Sequence, residues 1–330
     1  MIKYDIYSPV KYLDKVVELE AILWKNKNKK EIRRIFEWKY PYNVNLYNGF
    51  VALDGECIVG FRGFFIQNYI KEGRIFPVAV LSDAVVHPDY QRCGIFSELT
   101  TMAINYYRTT SLNYLLALSA NPKSSRGDVK MGLQPFLRKE YRIGVSILNI
   151  FCGHLKSSSK VSDYEIEKVN FADIDKLAHE LDSFCRTVDG TQGVSLRRDY
   201  YYWTWRFANP NWGNDVEMAV MRKNGIICGI CVFLHENRKG VNIIRIMDIV
   251  VADISLYPIL YKGLKKMTNA WCYFILSASG IPKVMLRHLF PFSRHSNTST
   301  PADFYLIKSL NDNSIIEFGN DLVLNYSNID

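Results

Sequence analysis

At 330 residues the chain is long enough for about two domains and buries an ample core without metal or disulfide staples. Its 48% hydrophobic, 22% charged and 14% aromatic content, with 19 glycines and 11 prolines, excludes collagen-like, low-complexity and wholly disordered classes. Forty-one Lys and Arg against 33 Asp and Glu leave a net charge of +8, a diffuse excess that suits anionic partners without naming one.

In chain order, Met1–Val10 has Asp5 where an export signal needs an apolar stretch, and no later apolar run approaches a membrane span. The seven cysteines are odd in number and scattered, which points to reduced thiols in the cytoplasm. Tyr12–Leu19 opens an amphipathic helix, and the basic run Lys25–Arg34 is read first as a solvated face. A second helix ends in the aromatic Phe36-Glu-Trp38-Lys39-Tyr40-Pro41, before an apolar strand that crosses Gly60. The strand Leu81–Val86 carries Asp83 and stops at His87-Pro88, because proline holds the preceding residue extended. A helix starts near Gly94 with apolar positions 95, 99, 102, 103 and 106 on one face. Leu115–Asn121 is a short buried strand ending in Ser119-Ala120, followed by a turn, a helix and Lys130-Met-Gly132-Leu133.

The same plan then repeats. After a polar linker, Lys156–Asp163, the blocks Asp173–Leu181, Trp203-Thr-Trp205-Arg206-Phe207, Ile226–Cys231, Ile246–Val251 and Phe274–Ser279 follow the order of the first half. Trp38 to Gly60 spans 22 residues and Trp205 to Gly229 spans 24. Five matching blocks in one order indicate an internal duplication with its boundary near residue 158. Cys228 and Cys231 lie in a strand, where positions three apart face opposite sides, so they are not read as zinc ligands. His288 and His295 show no metal spacing, and the neighbouring Arg287 and Arg294 suit an anion instead. The aromatics at 38, 40, 202, 203 and 205 are read as core and interface residues.

The richest stretch is Asp83–Leu99. A strand-loop-helix unit with Gln91, Arg92 and Gly94 in its loop brings free helix-start amides and the positive dipole end to one place, suited to a pyrophosphate. Val86-His87-Pro88-Asp89-Tyr90 and then Gln91-Arg92-Cys93-Gly94-Ile95-Phe96 resemble the GCN5-related N-acetyltransferase (GNAT) superfamily, whose fourth strand runs into Val-x-Pro-x-Tyr and Gln/Arg-x-x-Gly-x-Gly/Ala before a helix. Phe96 stands where a small residue is usual.

The resemblance implies an α/β chain of two tandem GNAT-like domains, each a mixed, mostly antiparallel sheet flanked by helices. Residues 1–157 would bind acyl-coenzyme A; residues 158–330, degenerate because Ala252–Gly263 lacks the loop, would complete the acceptor cleft. It also implies a site. Gln91, Arg92, Cys93, Gly94, Ile95, Phe96 and Ser97 would hold the pyrophosphate, Val85 and Val86 would pair with the pantetheine arm, and Asn121 would touch the cofactor. Asp83 is the candidate base for the ammonium proton, although Asp248 at the same position of the second copy suggests a structural carboxylate equally well. Asp128 takes the place of the tyrosine with which many members reprotonate the thiolate; it relays protons only if burial raises its pKa, and is otherwise a helix-surface carboxylate.

The implied activity is acetyl transfer from acetyl-CoA to a primary amine by direct attack in a ternary complex, without metal or nucleic acid. The tandem layout and the Trp-(Lys/Arg)-aromatic-Pro elements resemble bacterial acetyltransferases linked to cell-surface polysaccharide synthesis, which implies an amino sugar or its nucleotide-linked form as acceptor, and an anionic sugar is compatible with the basic run. The alternatives are an aminoacyl- or peptidyl-type transferase acting on peptidoglycan precursors, against which the intact loop argues, and a non-catalytic coenzyme A binder.

Overall fold

The computed structural model describes residues 1–40, 47–118, 122–146, 158–161, 163–191, 193–212, 215–277, 279–295, 299–311 and 322–324. The first half contains β1 (Lys3–Ile6), α1 (Pro9–Leu23), α2 (Lys29–Lys39), β2 (Gly49–Asp54), β3 (Cys57–Lys71), β4 (Arg74–Val86), α3 (Ile95–Arg108), β5 (Tyr114–Ala117), α4 (Pro122–Lys130), β6 (Gln134–Arg138) and β7 (Tyr141–Val145). The second contains β8 (Ser158–Val161), β9 (Tyr164–Val169), α5 (Ala178–Val188), β10 (Ser195–Leu196), α6 (Tyr200–Phe207), β11 (Val216–Lys223), β12 (Ile226–Arg238), β13 (Val241–Val251), α7 (Tyr257–Met267), β14 (Cys272–Leu276), α8 (Lys283–Leu289), β15 (Phe292–Arg294) and β16 (Phe304–Ser309). Strand β8 lies inside the stretch read from sequence as a linker.

Local chemistry sets these boundaries. Pro9 opens α1, where its missing N–H is not needed. A reciprocal capping box between Asn28 and Glu31 starts α2, so only the first part of the basic run is loop, and Lys29, Lys30 and Arg34 lie exposed on the helix. Glu72-Gly73, Asn224-Gly225 and Lys239-Gly240 join β3–β4, β11–β12 and β12–β13 with both residues at positive φ, the turn whose twist matches two paired strands. In α3 the buried stripe is Ile95, Leu99, Thr100, Ala103, Ile104 and Tyr107. Met102 and Tyr106, expected inside, flank it half-buried, and Tyr106 packs on Tyr47 at the helix edge.

Two mixed sheets result. The first runs β1-β2-β3-β4-β5-β16-β6, with β10 attached to β3; the second runs β15-β7-β14-β13-β12-β11-β9-β8. Only β4–β5 and β13–β14 are parallel among the named strand pairs. The duplication survives in the registers: Gly60 faces Val86 as Gly229 faces Val251. The strands next to one edge of each sheet are traded. Strand β16, near the end of the chain, lies between β5 and β6, while β7 of the first half lies between β14 and β15. Each sheet is therefore completed by the other half.

The halves bury a shared core that includes Phe65, Val78 and Leu116 from the first sheet and Val232, Leu234 and Met247 from the second, with Trp203 fully enclosed. Burying one such large apolar side chain contributes about 2–3 kcal/mol, so the common core ties the halves strongly. Trp38 and Trp205, equivalent in the repeat, stack at 5.5 Å. Each indole N–H donates to the other residue's carbonyl, at 2.6 and 2.9 Å. Such reciprocity marks a local two-fold axis between the copies.

Candidate active site

The site grows from an irregularity in β4. Arg62 pairs with Ala84 and Phe64 with Leu81, so Gly63 faces both Ser82 and Asp83, a β-bulge. Tyr40, at the end of α2, fills the gap: its hydroxyl donates to Asp83 Oδ2 at 2.6 Å and accepts from the Asp83 amide at 3.3 Å. Lys39 Nζ sits 3.1 Å from the same carboxylate oxygen. Gly63 is required here, because a Cβ would lie 2.2 Å from the Tyr40 hydroxyl.

Past the bulge β4 loses its parallel neighbour, since pairing with β5 ends at Leu81–Ala117. The His87 amide donates to Val59 O on β3, and alternation therefore turns the Val86 N–H and C=O to the opposite edge. Val85 packs its side chain into the cluster under α1 and α2, and Val86 leans on the cluster under α3.

A cavity of about 430 Å³ opens along this edge. Five consecutive β4 residues, Leu81 to Val85, line it, so it follows the backbone rather than one face of the strand. Trp24, Ser124 and Asn211 contribute other walls, the last from the second half of the chain. The remaining wall holds Glu20. Its side chain is fully buried and neither carboxyl oxygen has a hydrogen-bond partner among the described residues. Burial pushes its pKa well above the ordinary value, the Asp83 charge adds to the rise, and the Lys39 ammonium opposes both. Reading the sequence by motif passes over Glu20. The available signal was its phase: it falls on the apolar side of α1 with Tyr12, Val16 and Leu19.

The expected phosphate loop follows directly. A single 3-10 turn covers Pro88–Tyr90, His87 Nδ1 accepts the Asp89 amide at 3.3 Å, and Gln91 Nε2 donates to Val86 O at 3.4 Å. Arg92 and Gly94 adopt left-handed φ of +68° and +81°. For arginine that conformation costs about 1–2 kcal/mol. Gly94 caps α3 without a side chain, which leaves the first-turn amides of Ile95, Phe96 and Ser97 without intrahelical acceptors. Gln91, Arg92, Cys93, Gly94 and Ser97 are exposed, Ile95 is buried, and a Cβ on Gly94 would meet only open space.

Phe96 points elsewhere. Its ring contacts the position a Gly127 Cβ would take and lies under the Arg62 guanidinium, 5.0 Å from the ring centre. Arg62 in turn donates to Asp128 Oδ1 at 2.6 Å, with both side chains buried. Asp128 is thus an interior residue rather than a surface carboxylate; burial raises its pKa and Arg62 counteracts the rise. The structure brings Asp83, Val85 and Glu20 to one cavity and gathers Gln91–Ser97 at the start of α3, while Asp128 stands with Arg62 beneath α4. Asn121 lies outside the described residues.

The second copy shows the same strand feature closed. A bulge between β12 and β13 accompanies Asp248, but Arg198 grips that carboxylate with two bonds of 2.9 Å and Tyr202 adds a third at 2.8 Å. Asp189 holds the other side of Arg198 at 2.6 Å. The Asp248 side chain is sealed at 2% exposure, whereas that of Asp83 keeps 13%.

Residues 9–125 match the family described as an acetyltransferase (GNAT) domain. The fold is similar to that of a GCN5-related N-acetyltransferase from Anabaena variabilis, at TM-score 0.62 and 15% identity, covering 94% of this chain and 73% of that one. It is also similar to a tandem GNAT protein from the clavulanic acid biosynthesis pathway, at TM-score 0.52 and 10% identity over 95% of this chain and 100% of that one. A Saccharomyces cerevisiae N-myristoyltransferase solved with myristoyl-CoA has TM-score 0.50 and 11% identity over 93% and 82%. No curated protein matches the chain in sequence.

Proposed function

We propose that the chain, whose residues 9–125 match the acetyltransferase (GNAT) domain family and whose fold is similar to GNAT proteins, moves an acetyl group from acetyl-CoA to the primary amine of an amino sugar or a nucleotide-linked amino sugar. One observation carries this reading: two carboxyl groups, Asp83 and Glu20, share a cavity along the open edge of β4, beside an uncapped helix start.

The donor's pyrophosphate rests on the amides of Arg92 to Ser97, with Gln91 beside them and Asn121 as a further contact. Its pantetheine arm extends β4 along Val85 and Val86 in the place that β5 vacates. The Val86 N–H points to that edge and stabilises the developing oxyanion. The acceptor amine enters from the Glu20 side. Asp83, fixed by Lys39 and Tyr40, takes the ammonium proton. The free amine attacks the thioester carbonyl, the C–N bond forms, the C–S bond breaks and coenzyme A leaves as thiolate. Glu20, whose pKa burial raises, supplies the proton that this thiolate requires. Two carboxyls in different surroundings thereby divide acid and base work, and Asp128, engaged by Arg62, secures α4 against β3.

The cavity volume falls in the range of small-molecule sites. Trp24, Ser82, Ser124 and Asn211 all line the cavity, an aromatic residue together with polar side chains, which suits a sugar better than an aliphatic amine. Titration calorimetry with acetyl-CoA tests the donor half: one site per chain in the wild type, abolished in Gly94→Glu. Thiol release with glucosamine, its nucleotide-linked form, spermidine and lysine as acceptors tests the other half. Failure of the wild type to bind acetyl-CoA overturns the activity, and preference for spermidine or lysine overturns the acceptor.

A further inference from the structure

The second sheet carries a cavity of about 340 Å³ that the acyl-transfer reading leaves without a role. Strand exchange builds it. Tyr141 on the transferred strand β7 lies directly opposite Arg294 on β15, and Phe274 on β14 lies opposite Arg245 on β13. Arg238, near the end of β12, completes a set of three guanidiniums on the cavity wall. Two of them share one carboxylate: Glu236 bonds Arg238 at 2.8 Å and also pairs with Arg245. Arg294 has no ion pair among the described residues. Three guanidiniums and one carboxylate thus line the same cavity. Tyr141 feels them: burial raises its phenol pKa, and Arg245 and Arg294 pull it back.

We propose that this cavity binds an organic phosphate, its dianionic group held by Arg238, Arg245 and Arg294 and its body laid against the rings of Phe274 and Tyr141. Planar guanidiniums grip phosphate oxygens in pairs, and a phosphate monoester carries about two negative charges at neutral pH. The aromatic walls suit a ring-bearing ester over inorganic phosphate. Half-exposed Arg238 leaves an entrance.

The experiment is independent of acetyl transfer. Phenyl phosphate and benzoate are titrated by calorimetry into Gly94→Glu, in which the phosphate loop no longer competes, and into the same variant carrying Arg238→Ala and Arg294→Ala. Phenyl phosphate should bind once per chain and lose about tenfold or more in affinity with the two arginines removed. Both side chains are at the cavity rim, and an unchanged circular dichroism spectrum and melting curve verify the fold of the variant. Absence of phenyl phosphate binding, an affinity indifferent to the arginines, or equal binding of benzoate each overturns the assignment.

Discussion

Glu20 is a carboxyl group placed where folding alone gains nothing from it. Its folded pKa is raised, so the unfolded chain gives up this proton at lower pH than the folded one. The sign follows: its favourable contribution is present below the unfolded value and is lost as pH rises through the folded one. Melting temperatures of Glu20→Gln and wild type should thus diverge with rising pH, the variant becoming relatively more stable; parallel curves would show an ordinary carboxylate. In turnover, Glu20→Gln should lower kcat with little change in the KM for acetyl-CoA, and Asp83→Asn should do the same. The Arg62–Asp128 pair responds differently. Arg62→Ala strands a buried carboxylate and should cost about 3–5 kcal/mol in urea unfolding, well above the loss from an exposed pair such as Lys15 with Glu56.

Among the elements, the bulge of β4 is the piece that converts strand geometry into chemistry. In Gly63→Ala the new methyl must displace the Tyr40 hydroxyl, and Asp83 then loses its fixed orientation. The expected result is a drop in kcat of about tenfold or more with unchanged calorimetric affinity for acetyl-CoA, because the phosphate loop lies farther along the strand. Equal kcat in Gly63→Ala would show that Tyr40 does not position the base. The end of β4 at Val86, the loop and the start of α3 were legible in the sequence because proline and glycine act locally. The bulge was not, since it exists only against the partner strand β3, and neither was the Arg62 that meets Asp128 from 66 positions away.

For the whole molecule, duplication was legible while assembly was not. Aligning Trp38 with Trp205 from their neighbours gave two equivalent residues, but only the folded chain shows them stacked on one another. The exchange of β7 and β16 escapes sequence reading altogether, because short apolar strands carry no mark of the sheet they will join. It makes a strong prediction. A chain ending at residue 299 keeps Asp83, Glu20 and the phosphate loop yet lacks β16, so β5 and β6 have nothing between them. Such a truncation should lose cooperative melting and acetyl-CoA binding together; a first half that still binds would show that the exchanged strand is dispensable.

The traded strands also set a timetable for the ribosome. Strand β6 emerges at Gln134–Arg138, but the strand it must pair with begins only at Phe304. At about 5–20 residues per second, roughly ten to thirty seconds of synthesis separate the two. During that interval the nascent first sheet has an open flank between β5 and β6, exposed to wrong partners and to chaperones. The second sheet has all its strands once β15 emerges, whereas the first sheet, begun earliest, still waits for β16.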